Sequence, residues 1–264
     1  MQYTDQLERT IILNDPPQRI ISLVPSITEL LSYFKLDNEV VGITKFCIHP
    51  DKWFRTKARI GGTKNLNISS ILDLSPDLII ANKEENIKEQ IEELAKNNKV
   101  WISDVNDIND ALELIDSLGS ITSKSTVAKE LSSKIKLGIS SLKEESLTNR
   151  SKSSVAYLIW NEPMMAVAKD TFIDSIITEA GYTNAFADQR RYPEISIADL
   201  KNRSVDLLFL SSEPYPFEEK HLALFQSELP DIRVVLVDGT YFSWYGSRLL
   251  DATKYLKKLK HRYP

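Results

Sequence analysis

Residues 19–44 read RIISLVPSITELLSYFKLDNEVVGIT. The first seven, RIISLVP (19–25), form a β-branched apolar run that predicts a strand. SITELLSYFKL (26–36) then spaces its apolar residues for a helix. Ser26, with Glu29 three residues on, reads as its N-cap and capping box. EVVGIT (39–44) is a second short strand. A strand, a helix and a strand in close succession make the parallel α/β unit.

The same alternation runs outward from there. After EVVGIT come the loop Phe46-Cys47-Ile48-His49-Pro50, a short strand or loop RIGGTKN (59–65), and a short helix ISSILDL capped by Asn67. The strand DLIIAN (77–82), the loop KEEN, the helix IKEQIEELAKNN and the strand KVWISD (99–104) complete the first half. The second half repeats the style. SVAYLIWN (154–161) is a strand, TFIDSIITEAGY (171–182) a helix and ISIADLKN a short helix. DLLFLSS (206–212) and RVVLVDG (233–239) are strands, followed by a terminal helix near 245–260. Between the halves, Val127, Leu131, Ile135 and Leu142 recur at helical spacing. A helix from about 122 to 147 would be roughly 35–40 Å long at 1.5 Å per residue. An ordinary surface helix broken at Gly138 is the other reading of that segment. The fold class expected is α/β, with two lobes of mainly parallel sheets joined by one long helix. The N-terminal lobe is 1–118, the connecting helix 119–150 and the C-terminal lobe 151–264.

The halves also share a pattern. Asn67-Ile68-Ser69-Ser70-Ile71 leads to Ser75-Pro76-Asp77-Leu78, and Ser196-Ile197-Ala198-Asp199-Leu200 leads to Ser204-Val205-Asp206-Leu207 at the same spacing. A cap, a short helix, Ser-x-Asp and an apolar strand recur, which predicts an internal repeat.

Composition excludes several classes. The chain has 264 residues, 42% hydrophobic and 27% charged, which is too apolar for a disordered chain. A net charge of −4 and the lack of a basic stripe argue against nucleic acid. The single cysteine, Cys47, excludes an internal disulfide or a thiolate zinc cluster. No apolar run approaches the roughly 20 residues of a membrane-spanning helix. Residues 1–18, MQYTDQLERTIILNDPPQ, lack a basic start and an apolar stretch. A cytoplasmic protein is therefore expected, with a mature exported protein whose leader was removed as the alternative.

Open α/β sheets bind ligands outside the carboxyl ends of their strands. The loops at those ends supply Pro25, Ser26, Phe46, His49, Glu84, Glu85, Met164, Tyr215, Tyr241, Phe242 and Trp244, with Trp53 and Trp160 nearby. Aromatic walls with few polar anchors suit a large, flat organic ligand. Arg191, beside Arg190, could clamp a carboxylate or phosphate. The chain has no GxGxxG, Walker lysine or GxSxG. Gly61-Gly62-Thr63-Lys64-Asn65 resembles a phosphate loop only loosely. Cys47 and His49 would be the nucleophile and base of an enzymatic reading, and His49 is the metal-ligand candidate.

RIISLVPSITELL, VVGIT, IGGTKN, ILDLSPDLIIA, the long middle helix and TFIDSIITEAGYTNAF with ISIADL resemble the helical-backbone (class III) periplasmic binding proteins. These are the substrate-binding components of ABC importers for vitamin B12, iron-siderophores and haem. The likeness covers about residues 9–260 and leans toward the vitamin B12-binding branch. It implies two α/β lobes joined by one rigid helix, a ligand held between the lobes, no catalysis and no intrinsic cofactor. The ligand implied is cobalamin or another corrinoid. Trp53, Trp160, Phe242 and Trp244 would be stacking walls and His49 a cobalt ligand. A siderophore would use Arg190 or Arg191, and haem Tyr241 or Tyr245. A cytoplasmic metal-binding or Cys/His-dependent enzyme no longer coupled to a permease is the rival reading. In B12-binding relatives each lobe docks on the permease through a surface Glu. The matching positions here are Ser69 and Ala198, so both acids are missing and docking on a permease is weakened. Asp73, Glu194 and Asp199 are the nearby acids.

Overall fold

Pro25 decides how the first helix begins. In the computed structural model, which describes residues 1–148 and 153–264, the helix α1 (Pro25–Tyr33) starts on Pro25 itself, after an extended Val24. Proline is pre-set for the first helical position and has no N–H to leave unsatisfied. Ser26 therefore lies inside the helix, and no side chain caps it. Glu29, read as half of a capping box, instead pairs with Arg248 at 2.9 Å.

Contacts divide the chain into two compact units. The first holds 1–105, 109–133 and 245–248; the second holds 106–108, 134–244 and 249–264. The division falls inside the long helix rather than at its two ends. The boundary expected at 150/151 lies outside the described residues.

In the first unit, β1 (Gln2–Thr4) and β2 (Thr10–Ile12) form an antiparallel hairpin. There follow β3 (Ile20–Ser22), α1, β4 (Val40–Ile43), α2 (Asp51–Thr56), β5 (Ala58–Arg59) and a small hairpin of β6 (Gly61–Gly62) and β7 (Asn65–Leu66). Then come α3 (Ile68–Asp73), β8 (Leu78–Asn82), α4 (Lys88–Ala95), β9 (Val100–Ser103) and α5 (Ile108–Ile121). The main sheet is parallel throughout, in the order β5-β4-β3-β8-β9. Strands β3, β8 and β9 are buried along their whole length, as a parallel sheet covered on both faces requires.

The long helix is α6 (Ser125–Thr148), 24 residues and about 36 Å. Ser123, at φ 58°, ends α5 and separates it from α6. The helix runs unbroken through Gly138, contrary to a break there. The glycine serves packing: a Cβ at 138 would lie 2.8 Å from Thr253 Cγ2.

The second unit contains β10 (Ser154–Trp160), β11 (Met165–Ala166), α7 (Phe172–Glu179), β12 (Thr183–Asn184), α8 (Ile197–Asn202) and β13 (Leu207–Ser211). It ends with α9 (Glu219–Glu228), β14 (Arg233–Val237), α10 (Thr240–Ser243) and α11 (Leu249–Arg262). The terminal helix expected near 245–260 is α11, with the short α10 ahead of it. Strands β10, β13 and β14 are parallel, with β11 antiparallel at one edge and β12 beside the start of β10. A core of Leu158, Leu208, Leu210, Phe186, Phe225 and neighbours covers one face. Among the described residues no helix is long and apolar enough to cross a membrane.

The repeat has a physical basis. Asn67 Oδ1 takes the Ser70 N–H at 3.1 Å to cap α3. Ser196 Oγ takes the Asp199 N–H at 3.2 Å, and Asp199 answers on the Ser196 N–H at 2.8 Å to cap α8. Asp77 receives the Gln18 and Arg19 N–H groups at 2.6 and 2.9 Å, pinning the entry to β3. Asp206 receives the Ser154 N–H at 2.7 Å and pins β10.

Candidate functional site

In the first unit, the β3 loop runs straight into α1, so Pro25 is half-buried and Ser26 is buried within the helix. The loop after β4 turns one side chain in and its neighbours out. Phe46 is 52% exposed, with the Lys45 ammonium 5.1 Å from its ring centre. Cys47 is fully buried, its Sγ 3.1 Å from Thr28 Oγ1 and 3.2 Å from Thr44 Oγ1. Burial pushes the thiol above its usual range, so it is no thiolate nucleophile at neutral pH. That removes the Cys47–His49 enzymatic reading. His49 is half-buried just before Pro50.

Trp53 is not a stacking wall. It is buried, and its Nε1–H donates to Asp37 at 3.0 Å. That bond, with Lys52, holds the Asp37 carboxyl below its ordinary value. The indole anchors α2 against the core instead of meeting a ligand.

At the end of β8, Asn82 Oδ1 accepts the N–H groups of Glu84 and Glu85 at 2.8 and 2.9 Å. This shapes the loop and leaves both glutamates half-buried. The Tyr245 hydroxyl donates to Glu85 Oε1 at 3.4 Å. Burial, with the Glu85 charge behind it, pushes the Tyr245 phenol well above its ordinary value, so it remains a neutral donor.

In the second unit, Trp160 closes β10 and is 39% exposed. Its Nε1–H donates to Glu162 O at 2.9 Å, and its ring meets Tyr215 edge-on at 5.7 Å. Met164 is half-buried against the core below. At the end of β13, Ser211 Oγ accepts from the Tyr157 hydroxyl at 2.9 Å and donates to Glu213 O at 2.6 Å. Glu213 Oε1 in turn accepts from Ser243 Oγ at 2.6 Å and Trp244 Nε1 at 2.8 Å. Trp244 is accordingly locked and nearly buried, with little indole left to stack on anything. Phe242 is fully buried between Tyr157 and Phe209, at 5.0 and 6.1 Å between ring centres, so it too is core and not wall. Tyr241 stacks on Tyr255 at 4.6 Å and is half-buried. Arg191 is exposed, its guanidinium 5.7 Å from the Tyr192 ring and its Nη1 donating to Asp170 O at 3.4 Å.

One pairing escaped the sequence reading. Asn82 and Ser211 stand 129 positions apart, as do Glu84 and Glu213, the same offset as the caps Asn67 and Ser196. Each unit ends its β8 or β13 strand on a small polar residue whose side chain turns the backbone toward a glutamate. The signal lay in DLIIANKE (77–84) against DLLFLSSE (206–213).

The strand ends therefore present exposed aromatics and half-buried hydrogen-bonding groups. Among the described residues no group of three or more His, Cys, Asp or Glu side chains comes together for a metal. Ser69 on α3 and Ala198 on α8 are both exposed, at equivalent positions. Asp199 is committed to the cap of α8, and Ser69 Oγ donates to Asn67 Oδ1 at 2.9 Å.

A family model described as periplasmic binding protein matches residues 20–231. A vitamin B12-binding protein of Vibrio campbellii is 25% identical over 200 residues, covering 75% of this chain and 72% of that protein. A substrate-binding lipoprotein of an ABC transporter in Bacillus subtilis, described as uncharacterized, is 25% identical over 200 residues, 73% and 63% of the two chains. The solved periplasmic vitamin B12 binding protein of Vibrio cholerae superimposes with a TM-score of 0.79 at 22% identity, covering 93% of this chain and 98% of that one. These findings overturn the cytoplasmic expectation: the matched relatives are periplasmic proteins or lipoproteins. The composition of residues 1–18 had suggested otherwise.

Proposed function

The chain belongs to the periplasmic binding protein family, and from that premise we propose that it captures a corrinoid, the vitamin B12 class of ligand, for the permease of an ABC importer. It is a ligand-binding protein and not an enzyme, as the family and its relatives are. The observation that carries the corrinoid reading is the likeness to a curated vitamin B12-binding protein along three quarters of the chain. The chemistry of the strand ends agrees. A corrinoid is a broad ring rimmed with carboxamides. Taken unit by unit, Phe46 in the first and Trp160 at the end of β10 in the second are exposed aromatic surface of the kind such a ring rests on. Glu84 and Glu85 in the first unit, and Tyr215 and Tyr241 in the second, are donors and acceptors of the kind its rim would engage. Cobalamin is cargo in this reading, not a resident cofactor.

Docking on the permease is altered in this reading. Ser69 and Ala198 carry no charge where B12-binding relatives are expected to present glutamates, so the contact rests on other groups of α3 and α8.

The test is calorimetry of cyanocobalamin and of cobinamide with the purified protein, with visible spectra in parallel. Submicromolar binding of either is expected. Absence of binding by both would remove the corrinoid reading and bring haem and siderophores forward as the ligand class.

A further inference from the structure

Tyr215 and His221 form a pair whose direction the backbone decides. His221 is the third residue of α9, is 8% exposed, and lies between the rings of Tyr215 and Phe217 at 5.4 and 5.5 Å. Its Nδ1 accepts the backbone N–H of Glu218, the residue that precedes the helix, at 2.9 Å. A ring nitrogen that accepts an N–H is bare, so the neutral imidazole carries its proton on Nε2. Nε2 lies 3.1 Å from Tyr215 Oη. The imidazole therefore donates and the phenol oxygen accepts. The proton of the Tyr215 hydroxyl is then left for a different acceptor. Tyr215 is half-buried beside the exposed Trp160, at the carboxyl end of the second unit's parallel strands.

We propose that His221 is a positioning residue of the ligand site. Through its Nε2–H it fixes Tyr215 as an outward hydrogen-bond donor, and so selects ligands that present a carbonyl, carboxamide or carboxylate oxygen next to the ring resting on Trp160. The proposal rests on the ligand-binding reading above and adds to it a named donor and the chemistry it demands. Nothing in the sequence pointed to His221, because a histidine on a helix reads as a surface or core residue until both its ring nitrogens are seen to be engaged.

The two jobs of His221, capping α9 and orienting Tyr215, separate by side-chain length. The chain itself shows that a shorter side chain at the third helical position caps: Asp199 does so for α8, accepting the Ser196 N–H at 2.8 Å. His221→Asn keeps an oxygen near the Nδ1 position and loses the reach to Tyr215. His221→Gln keeps an N–H near the Nε2 position. Cyanocobalamin affinity is measured by calorimetry for the wild type, His221→Asn, His221→Gln, Tyr215→Phe and the double variant Tyr215→Phe/His221→Asn, with melting temperatures alongside. His221→Asn and Tyr215→Phe should each weaken binding about threefold to tenfold, the range of one hydrogen bond. Gln should restore most of it, and the double variant should be no weaker than Tyr215→Phe alone. Unchanged affinity in folded His221→Asn, equal losses in Asn and Gln, or losses that multiply in the double variant would each overturn the proposal. If the wild type itself binds no cyanocobalamin, the corrinoid reading fails on its own. The pair is then judged by nitrogen NMR of the unliganded protein: a proton on Nε2 with Nδ1 bare supports it, and a proton on Nδ1 overturns it.

Discussion

The two units share a scaffold and differ in what they do at its ends. In the first, β3 passes directly into α1 through Pro25. In the second, β10 runs into the β11 hairpin and reaches α7 only at Phe172. The caps, the aspartates that pin strand starts and the polar residues that end β8 and β13 all recur at one offset. The aromatic residues do not. The first unit keeps Trp53 and Trp101 buried and exposes Phe46, whereas the second exposes Trp160 with Tyr215 beside it and buries Phe242. Backbone-organising residues are set by the geometry of a parallel sheet, which both units must satisfy. The aromatic side chains that follow the strands are free of that constraint, and these are where the halves part.

Equal scaffolds should fail equally. Ile79 in β8 and Leu208 in β13 are equivalent and fully buried. Ile79→Ala and Leu208→Ala should each cost about 2–5 kcal/mol in denaturant unfolding. A loss near zero on one side would show that the two cores are not built alike.

The caps sharpen the comparison. Asn67→Ala removes the side-chain cap of α3, while Ser196→Ala/Asp199→Ala removes both halves of the reciprocal box on α8. Both should destabilise by about 0.5–2 kcal/mol, the double variant more. The reverse order, measured by chemical denaturation, would mean that the box contributes nothing beyond its first bond.

Acid gives the smallest contrast. Asp37 in the first unit is held low by Trp53 and Lys52, and in the second Asp188 by Arg203 and Asp199 by Ser196. Each carboxyl is depressed in the folded state, so its stabilisation is complete above the ordinary value of 3.8 and is lost as pH falls through the folded value. Hydrogen exchange at decreasing pH should show the second unit, with two such groups, loosening no later than the first. Earlier opening of the first unit would contradict this.

Much of the fold was legible because parallel strands announce themselves as β-branched runs and their helices carry caps. Asn67 and Ser196 were read as caps and are caps. Ser26 was misread because a serine three residues before a glutamate looks like a capping box, and Pro25 outranks it. Gly138 was ambiguous because sequence cannot show that α11 lies against it. The site was harder. Trp53, Phe242 and Trp244 follow strands, as cleft residues do, but so do core residues. Only Asp37 and Glu213, distant in sequence, reveal which way the two indoles are held. His221 was invisible for the same reason: its partners come from a backbone amide and a loop tyrosine.

The account turns on Trp160, the exposed aromatic that distinguishes the second unit. Cyanocobalamin affinity of Trp160→Ala against the wild type tests it most directly. The account predicts a loss of at least about tenfold with an unchanged melting temperature. Equal affinity in the two proteins would contradict it.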